Sequence, residues 1–170
     1  LPDGRSGALD GMNEQARQFT SPSPATSGDG GNGRPDRHLV LEDVPADLHV
    51  LVAVRRQLAA FADEVGLPPE TTTDFLLATY EALANVAEHA YRPGDPGTFD
   101  LFVEHSRDEG VLTVTVVDRG SWKPESDNRV TKRGRGLRLM QACSDSVRVD
   151  RGDEGTQVRL QWNCGEPRRS

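Results

Sequence analysis

Cys143 and Cys164 are the two cysteines among 170 residues, with no CxxC pair and no neighbouring pair of histidines. That scarcity argues against a zinc site and a disulfide scaffold, and a reducing, cytoplasmic home is its simplest reading. Positive charge is also short: 20 Lys and Arg stand against 27 Asp and Glu, a formal net charge of −7. Binding duplex nucleic acid calls for a basic face, so no direct nucleic-acid partner is expected. No apolar run approaches the roughly 20 residues of a membrane span, and the N-terminus lacks the charged-then-apolar layout of a signal peptide. The chain opens on Leu1 rather than Met, which fits a processed form or a segment of a longer protein.

Apolar side chains are nearly missing from Thr20 to Pro35 (TSPSPATSGDGGNGRP). Such a stretch buries too little surface to offset its ordering entropy, so residues 1–37 read as a leader or linker. The foldable part is expected over 38–163, with 164–170 as a tail. His38-Leu39-Val40-Leu41 reads as a first strand. Asp47 is placed to cap a helix over 48–65, with Leu48, Leu51, Val52, Leu58, Ala59 and Phe61 on one broad apolar face and Gly66 as its C-cap. Pro68 to Thr71 reads as a loop before a second helix over 72–91. Alternation at Phe99, Leu101 and Val103, then the β-branched run 111–117, predicts strands. A polar loop over 119–135, a short helix over 137–143 and strands over 146–150 and 156–162 complete the order β-α-α-β-β-loop-α-β-β. Helices followed by hairpins predict an α+β fold, a two-layer sandwich with helices on one face of a mainly antiparallel sheet.

Four constellations carry chemistry. On the second helix, Glu81, Asn85, Glu88 and His89 share one stripe of an otherwise apolar cylinder. A carboxylate and an amide there line a cavity as general base and hard-metal ligand, or lie on a solvated face. Asp118-Arg119-Gly120 ends an apolar strand. It is an ordinary turn, or a carboxylate at the sheet rim that accepts from a base amino group while the glycine admits the ligand closely. Lys132-Arg133-Gly134-Arg135-Gly136-Leu137 stands before a helix, and from Arg119 to Arg138 seven basic residues face two acidic ones. Exposed N–H groups and the helix dipole there favour a phosphate. Gly155-Thr156 opens the last strand and is explained equally by a hairpin turn.

Taken together, Glu-x-x-x-Asn, Asp-x-Gly, Gly-x-Gly-Leu and Gly-Thr in this order resemble the ATP-binding (Bergerat) fold of gyrase, heat-shock chaperones, histidine kinases and mismatch-repair proteins. Within that superfamily, the run Glu81 to Tyr91 (EALANVAEHAY), Asp118-Arg119-Gly120 and Gly134-Arg135-Gly136-Leu137 resemble the N-box and the two glycine boxes of the anti-sigma-factor serine kinases. The resemblance covers about 38–162. It implies Glu81 as general base and Asn85 as the Mg²⁺ ligand, with His89 beside them. Asp118, Gly120 and Thr156 would hold the adenine of ATP. Arg133, Gly134, Arg135, Gly136 and Leu137 would hold its phosphates. The superfamily usually has a second glycine two positions after the first; here that place is Trp122. The implied partners are a STAS-type anti-anti-sigma protein as substrate, a sigma factor, and a second copy of the chain. The alternatives are a nucleotide-dependent binding module without kinase activity and a plain ATPase.

Overall fold

The computed structural model describes residues 36–91, 94–95, 97–120 and 130–165, with no side-chain description at His89 or at 130–134. Residues 1–35 of the expected leader, most of the tail, and the loop segment that includes Trp122 lie outside the described residues, and Arg37, expected to end the leader, opens the first strand instead.

The first helix, α1 (Leu48–Val65), starts where Asp47 accepts from the His49 N–H at 2.7 Å. It stops at Gly66, whose φ of 74° is a left-handed backbone that glycine adopts without strain. Its buried stripe is Leu51, Val54, Leu58, Phe61, Ala62 and Val65. Leu48 and Val52, expected on that face, are 45% and 55% exposed, because the stripe that meets the sheet is narrower than the apolar arc of the sequence.

Helix α2 (Pro69–Asn85) begins three residues earlier than expected. Proline's fixed φ suits the first turn of a helix, where its missing N–H leaves nothing unpaired. After Asn85 the chain widens into a π-helical turn, Val86–Ala90, before leaving in extended conformation at Tyr91. Turns of this kind recur at functional sites. The widened turn changes the angular step between residues, so the one-stripe expectation ends at Asn85. Glu88 is exposed, whereas Glu81 and Asn85 are half-buried.

Strands β1 (Arg37–Pro45), β2 (Thr98–Ser106), β3 (Val111–Asp118), β4 (Ser146–Gly152) and β5 (Gly155–Asn163) form one sheet in the order β1-β2-β3-β5-β4, with antiparallel pairing throughout. Side chains on a strand alternate between faces, and the register aligns those facing the helices into rows. Val147, Leu160, Val114 and Val103 form one row; Val149, Val158, Val116 and Leu101 the next; Arg151, Thr156, Asp118 and Phe99 the last. The first two rows are core, while the third brings polar groups to the end of the sheet. Phe75 of α2 is fully buried edge-on to Trp162, with ring centroids 5.6 Å apart. The Trp162 indole N–H donates to the Cys143 carbonyl at 2.6 Å, which ties the end of α3 (Val130–Ala142) to β5.

Helix α3 corrects the expected short helix over 137–143. It starts at Val130, so Gly134 and Gly136 lie in its interior rather than in a loop ahead of it. An interior glycine costs a helix about 1 kcal/mol relative to alanine. Close packing offsets this at Gly136, where a Cβ would stand only 3.3 Å from Glu81 Oε2 and 3.4 Å from Asn85 Nδ2. The chain of 36–165 closes on itself at its last described residues, where the Cys164 and Gly165 N–H groups both donate to the Gly110 carbonyl.

Candidate functional site

At the polar end of the sheet, α2, the π turn, α3 and the strands enclose a cavity of about 90 Å³. Asn85, Asp118, Leu137 and Thr156, four of the residues singled out from the sequence, line it together with Ala82, Val86, Met140, Val149 and Val158. A wider depression of about 570 Å³, along the β4–β5 turn, shares Asp118, Arg151 and Thr156 with it. The two meet along the last cross-strand row, with apolar walls on one side and a carboxylate, a hydroxyl and a guanidinium on the other.

Asp118 is 5% exposed. Burial pushes its carboxyl above the ordinary carboxylate range, and the backbone N–H groups of Gly120 and Thr156 act in the opposite sense. Its Oδ1 accepts from the Gly120 N–H at 3.0 Å and the Thr156 N–H also bonds the carboxylate, whose two oxygens keep further lone pairs for a donor in the cavity. Gly120 packs under the π turn: a Cβ there would collide with the Ala90 carbonyl. Gly155, at φ 135°, likewise leaves room for the Asp118 carbonyl itself.

Glu81 sits beside this cavity rather than in its lining. It shares with Asn85 the face of α2 that meets Gly136. A carboxylate and an amide side by side on one turn are the hard oxygen donors that suit Mg²⁺, an ion that keeps most of its shell for phosphate and water. Among the described residues, no group of three or more His, Cys, Asp or Glu side chains forms a site that would hold a metal on its own. The donor set therefore fits an ion that arrives with a phosphate ligand.

The phosphate side departs from the sequence expectation. The N–H groups of Gly136 and Leu137 belong to the interior of a helix, where they bond to the preceding turn rather than to an anion. Arg135 is exposed on α3. The side chains of His89 and Arg133, and the close surroundings of Gly134, lie outside what is described. Sequence reading missed Arg151, which it placed in a turn. The signal was there: Val147, Val149 and Arg151 share one parity, so a strand that runs to Gly152 turns Arg151 toward the helices with the two valines.

Residues 44–162 match the family model described as "Histidine kinase-like ATPase domain". The serine-protein kinase RsbW of Bacillus licheniformis is 27% identical over 130 residues, 68% of this chain and 80% of the relative. RsbW of Bacillus subtilis is 26% identical over 137 residues, 72% and 84% of the two chains. Among solved structures, the RsbU and RsbW domains of Rv1364c from Mycobacterium tuberculosis superpose with a TM-score of 0.58 at 23% identity, covering 79% of this chain. This chain spans 34% of that longer one, and the likeness is one of fold. No helix among the described residues is long and apolar enough to cross a membrane.

Proposed function

The chain belongs to the histidine kinase-like ATPase domain family, and on that premise we propose that it is an ATP-dependent protein serine kinase. Its substrate is a serine on a STAS-type anti-anti-sigma protein, and in its other role it binds a sigma factor as a homodimer. The observation that carries this reading is the meeting of Asn85, Asp118 and Thr156 in one cavity, with the Glu81 carboxylate next to Asn85. The similarity to the RsbW serine-protein kinases supports the choice of protein substrate over water.

The base of ATP lies between the apolar walls, with its amino group donating to the Asp118 carboxylate. Thr156 stands next to that carboxylate in the same cross-strand row. Asn85 and Glu81 face the phosphates. Bound Mg²⁺ would neutralise phosphate charge, with the Asn85 side-chain oxygen among its ligands. The serine hydroxyl oxygen forms the new bond to the γ-phosphorus as the bond to the β–γ bridging oxygen breaks. Glu81 takes the hydroxyl proton and ADP leaves. Phosphoryl transfer needs mostly positioning and charge neutralisation, which these groups supply. A module that only sequesters a partner has no use for a base at position 81. The deciding experiment incubates the protein with γ-labelled ATP and a STAS-domain protein. Label on a serine of the STAS protein is expected. Release of free phosphate alone would show an ATPase, and tight STAS binding with neither would show a binding module.

Asp118 yields a second test. Asp118→Ala leaves the adenine amino group unpaired, at a cost of about 1–3 kcal/mol, so ATP should bind about one to two decades more weakly. GTP, with a carbonyl at that position, should bind poorly to the wild type. Acidification gives the same result by titration. Because burial raises the Asp118 carboxyl, protonation removes the acceptor at a pH above the ordinary carboxylate range. ATP affinity should fall as pH drops through that point, and Asp118→Ala should flatten the profile. Folding responds with the opposite sign. The folded chain keeps a proton that the unfolded chain has already released, so this group's contribution to stability declines as pH rises through the same window. Equal affinity for ATP and GTP in calorimetric titrations would reject the base contact.

A further inference from the structure

The strand that ends on Asp118 continues into Arg119, whose side chain falls on the opposite face of the sheet from Asp118. Among the described residues that face carries no helix, yet one carboxylate on it is 6% exposed: Asp100 of β2. Arg119 Nη2 reaches Asp100 Oδ2 at 2.6 Å. The other Asp100 oxygen, Oδ1, accepts from the backbone N–H of Asp43 at 2.9 Å. This second bond requires an irregular β1. Leu41 pairs with Leu101 and Val44 with Phe99, so Glu42 and Asp43 together oppose the single residue Asp100. This is a β-bulge. Asp43 lies in it at φ 53°, the one non-glycine residue with positive φ among those described. Left-handed backbone persists at a non-glycine residue only where its surroundings over-determine it, and such residues cluster near functional sites. The Asp43 carboxylate also lies 3.7 Å from Arg119 Nη1.

The Arg119 backbone is held separately. Its N–H donates to the Tyr91 hydroxyl at 3.1 Å, and that hydroxyl donates to the Thr98 carbonyl. The Tyr91 ring lies over Gly97, where a Cβ would overlap it. One residue further on, the Gly120 N–H is the donor that orients Asp118 Oδ1. The peptide units on either side of Arg119 thus connect the carboxylate in the cavity to the end of the N-box segment, to β2 and to the bulge of β1.

The geometry points to Arg119, Asp100 and Tyr91 as positioning residues that brace the Asp118 carboxylate for recognition of the base, with the β1 bulge built to hold Asp100. The inference rests on the reading of Asp118 as the base contact. It assigns specificity to residues that never touch the nucleotide, two of which act from the far face of the sheet.

Two variants test it, Asp100→Asn and Tyr91→Phe. Both keep the shape of the side chain; the first removes the charge that holds the Arg119 guanidinium, the second the acceptor that holds its N–H. The measurements are dissociation constants for ATP and for inosine triphosphate, which carries a carbonyl in place of the adenine amino group. A loosened brace should lower ATP affinity about tenfold, the weight of one charge-assisted hydrogen bond, and leave inosine triphosphate within about twofold. A merely structural role would weaken both nucleotides equally, and an unchanged ATP-to-inosine ratio in both variants overturns the brace. A carbon-13 NMR titration of the Asp118 carboxyl in the ligand-free protein reads the brace without any nucleotide. In Asp100→Asn its midpoint should move further above the ordinary carboxylate range as the Gly120 N–H bond loosens, and an unmoved midpoint counts against the brace. If the wild type itself does not prefer ATP to inosine triphosphate while the NMR midpoint shifts as expected, what fails is the base-contact reading of Asp118.

Discussion

Glu81→Gln should bind ATP as the wild type does and lose phosphoryl transfer almost completely. The substitution keeps the length, polarity and half-buried position of the side chain on α2. It also keeps the close approach to Gly136, since an amide occupies nearly the volume of the carboxylate. What it removes is the ability to take a proton from the attacking serine hydroxyl. A positioned general base is worth about 10²–10⁴ in rate, so single-turnover transfer to a STAS protein should slow by that factor while the ATP dissociation constant moves less than about twofold. Asn85→Ala provides the contrast. It empties part of the cavity lining and removes the oxygen proposed for Mg²⁺, so nucleotide affinity and metal dependence should fall together. A Glu81→Gln protein that transfers phosphate at the wild-type rate would reject the kinase mechanism and leave the binding module as the better account.

Gly155→Ala should damage both the fold and the site. Gly155 opens β5 at φ 135°, a region that residues with a Cβ rarely adopt. The strained backbone alone costs about 1–3 kcal/mol. Worse, the new methyl group would stand inside the Asp118 carbonyl oxygen and against Arg119 Cα, both main-chain atoms that cannot rotate away. Relief requires β5 and the end of β3 to separate just where Asp118 pairs with Thr156. A drop in Tm of about 10 °C or more is expected for a domain of this size. ATP affinity should fall with it even at temperatures where the variant is folded, since the carboxylate moves with its backbone. Gly152→Ala, three residues earlier in the same hairpin, is the control: nothing lies within 4 Å of a Cβ there, so its melting curve should overlay the wild type's. Equal behaviour of the two variants would mean that the β3–β5 contact does not position Asp118.

Much of this architecture was legible in the chain because its signals are local. Alternating apolar residues marked β2 and a β-branched run marked β3, and the pair Asp47 and Gly66 marked both ends of α1 through capping and a left-handed turn. The order of acidic, amide and glycine motifs pointed to an ATP-binding fold, which the family match and the antiparallel sheet bear out. Boundaries were less legible. The start of α3 at Val130 contradicts the placing of Gly134 and Gly136 ahead of a helix, because an interior glycine is unfavourable by itself and becomes acceptable when another helix packs on it. That helix is α2, some fifty residues earlier in the chain.

By itself, then, the sequence determined which residues have the chemistry: a carboxylate and an amide one turn apart on α2, a second carboxylate at the end of β3, and glycines where backbone must approach backbone. Tertiary structure alone decided their company. Strand register placed Asp118, Thr156 and Arg151 in one row. The helix that holds Glu81 and Asn85 half-buried widens after Asn85 into the π turn, where Glu88 is exposed. The β1 bulge carried the Asp43 N–H to Asp100, and through it support to Arg119. Each of these depends on register or on contact between residues distant in the chain, and neither is encoded in any local run. A one-residue slip of a strand would reverse every face while leaving each motif intact.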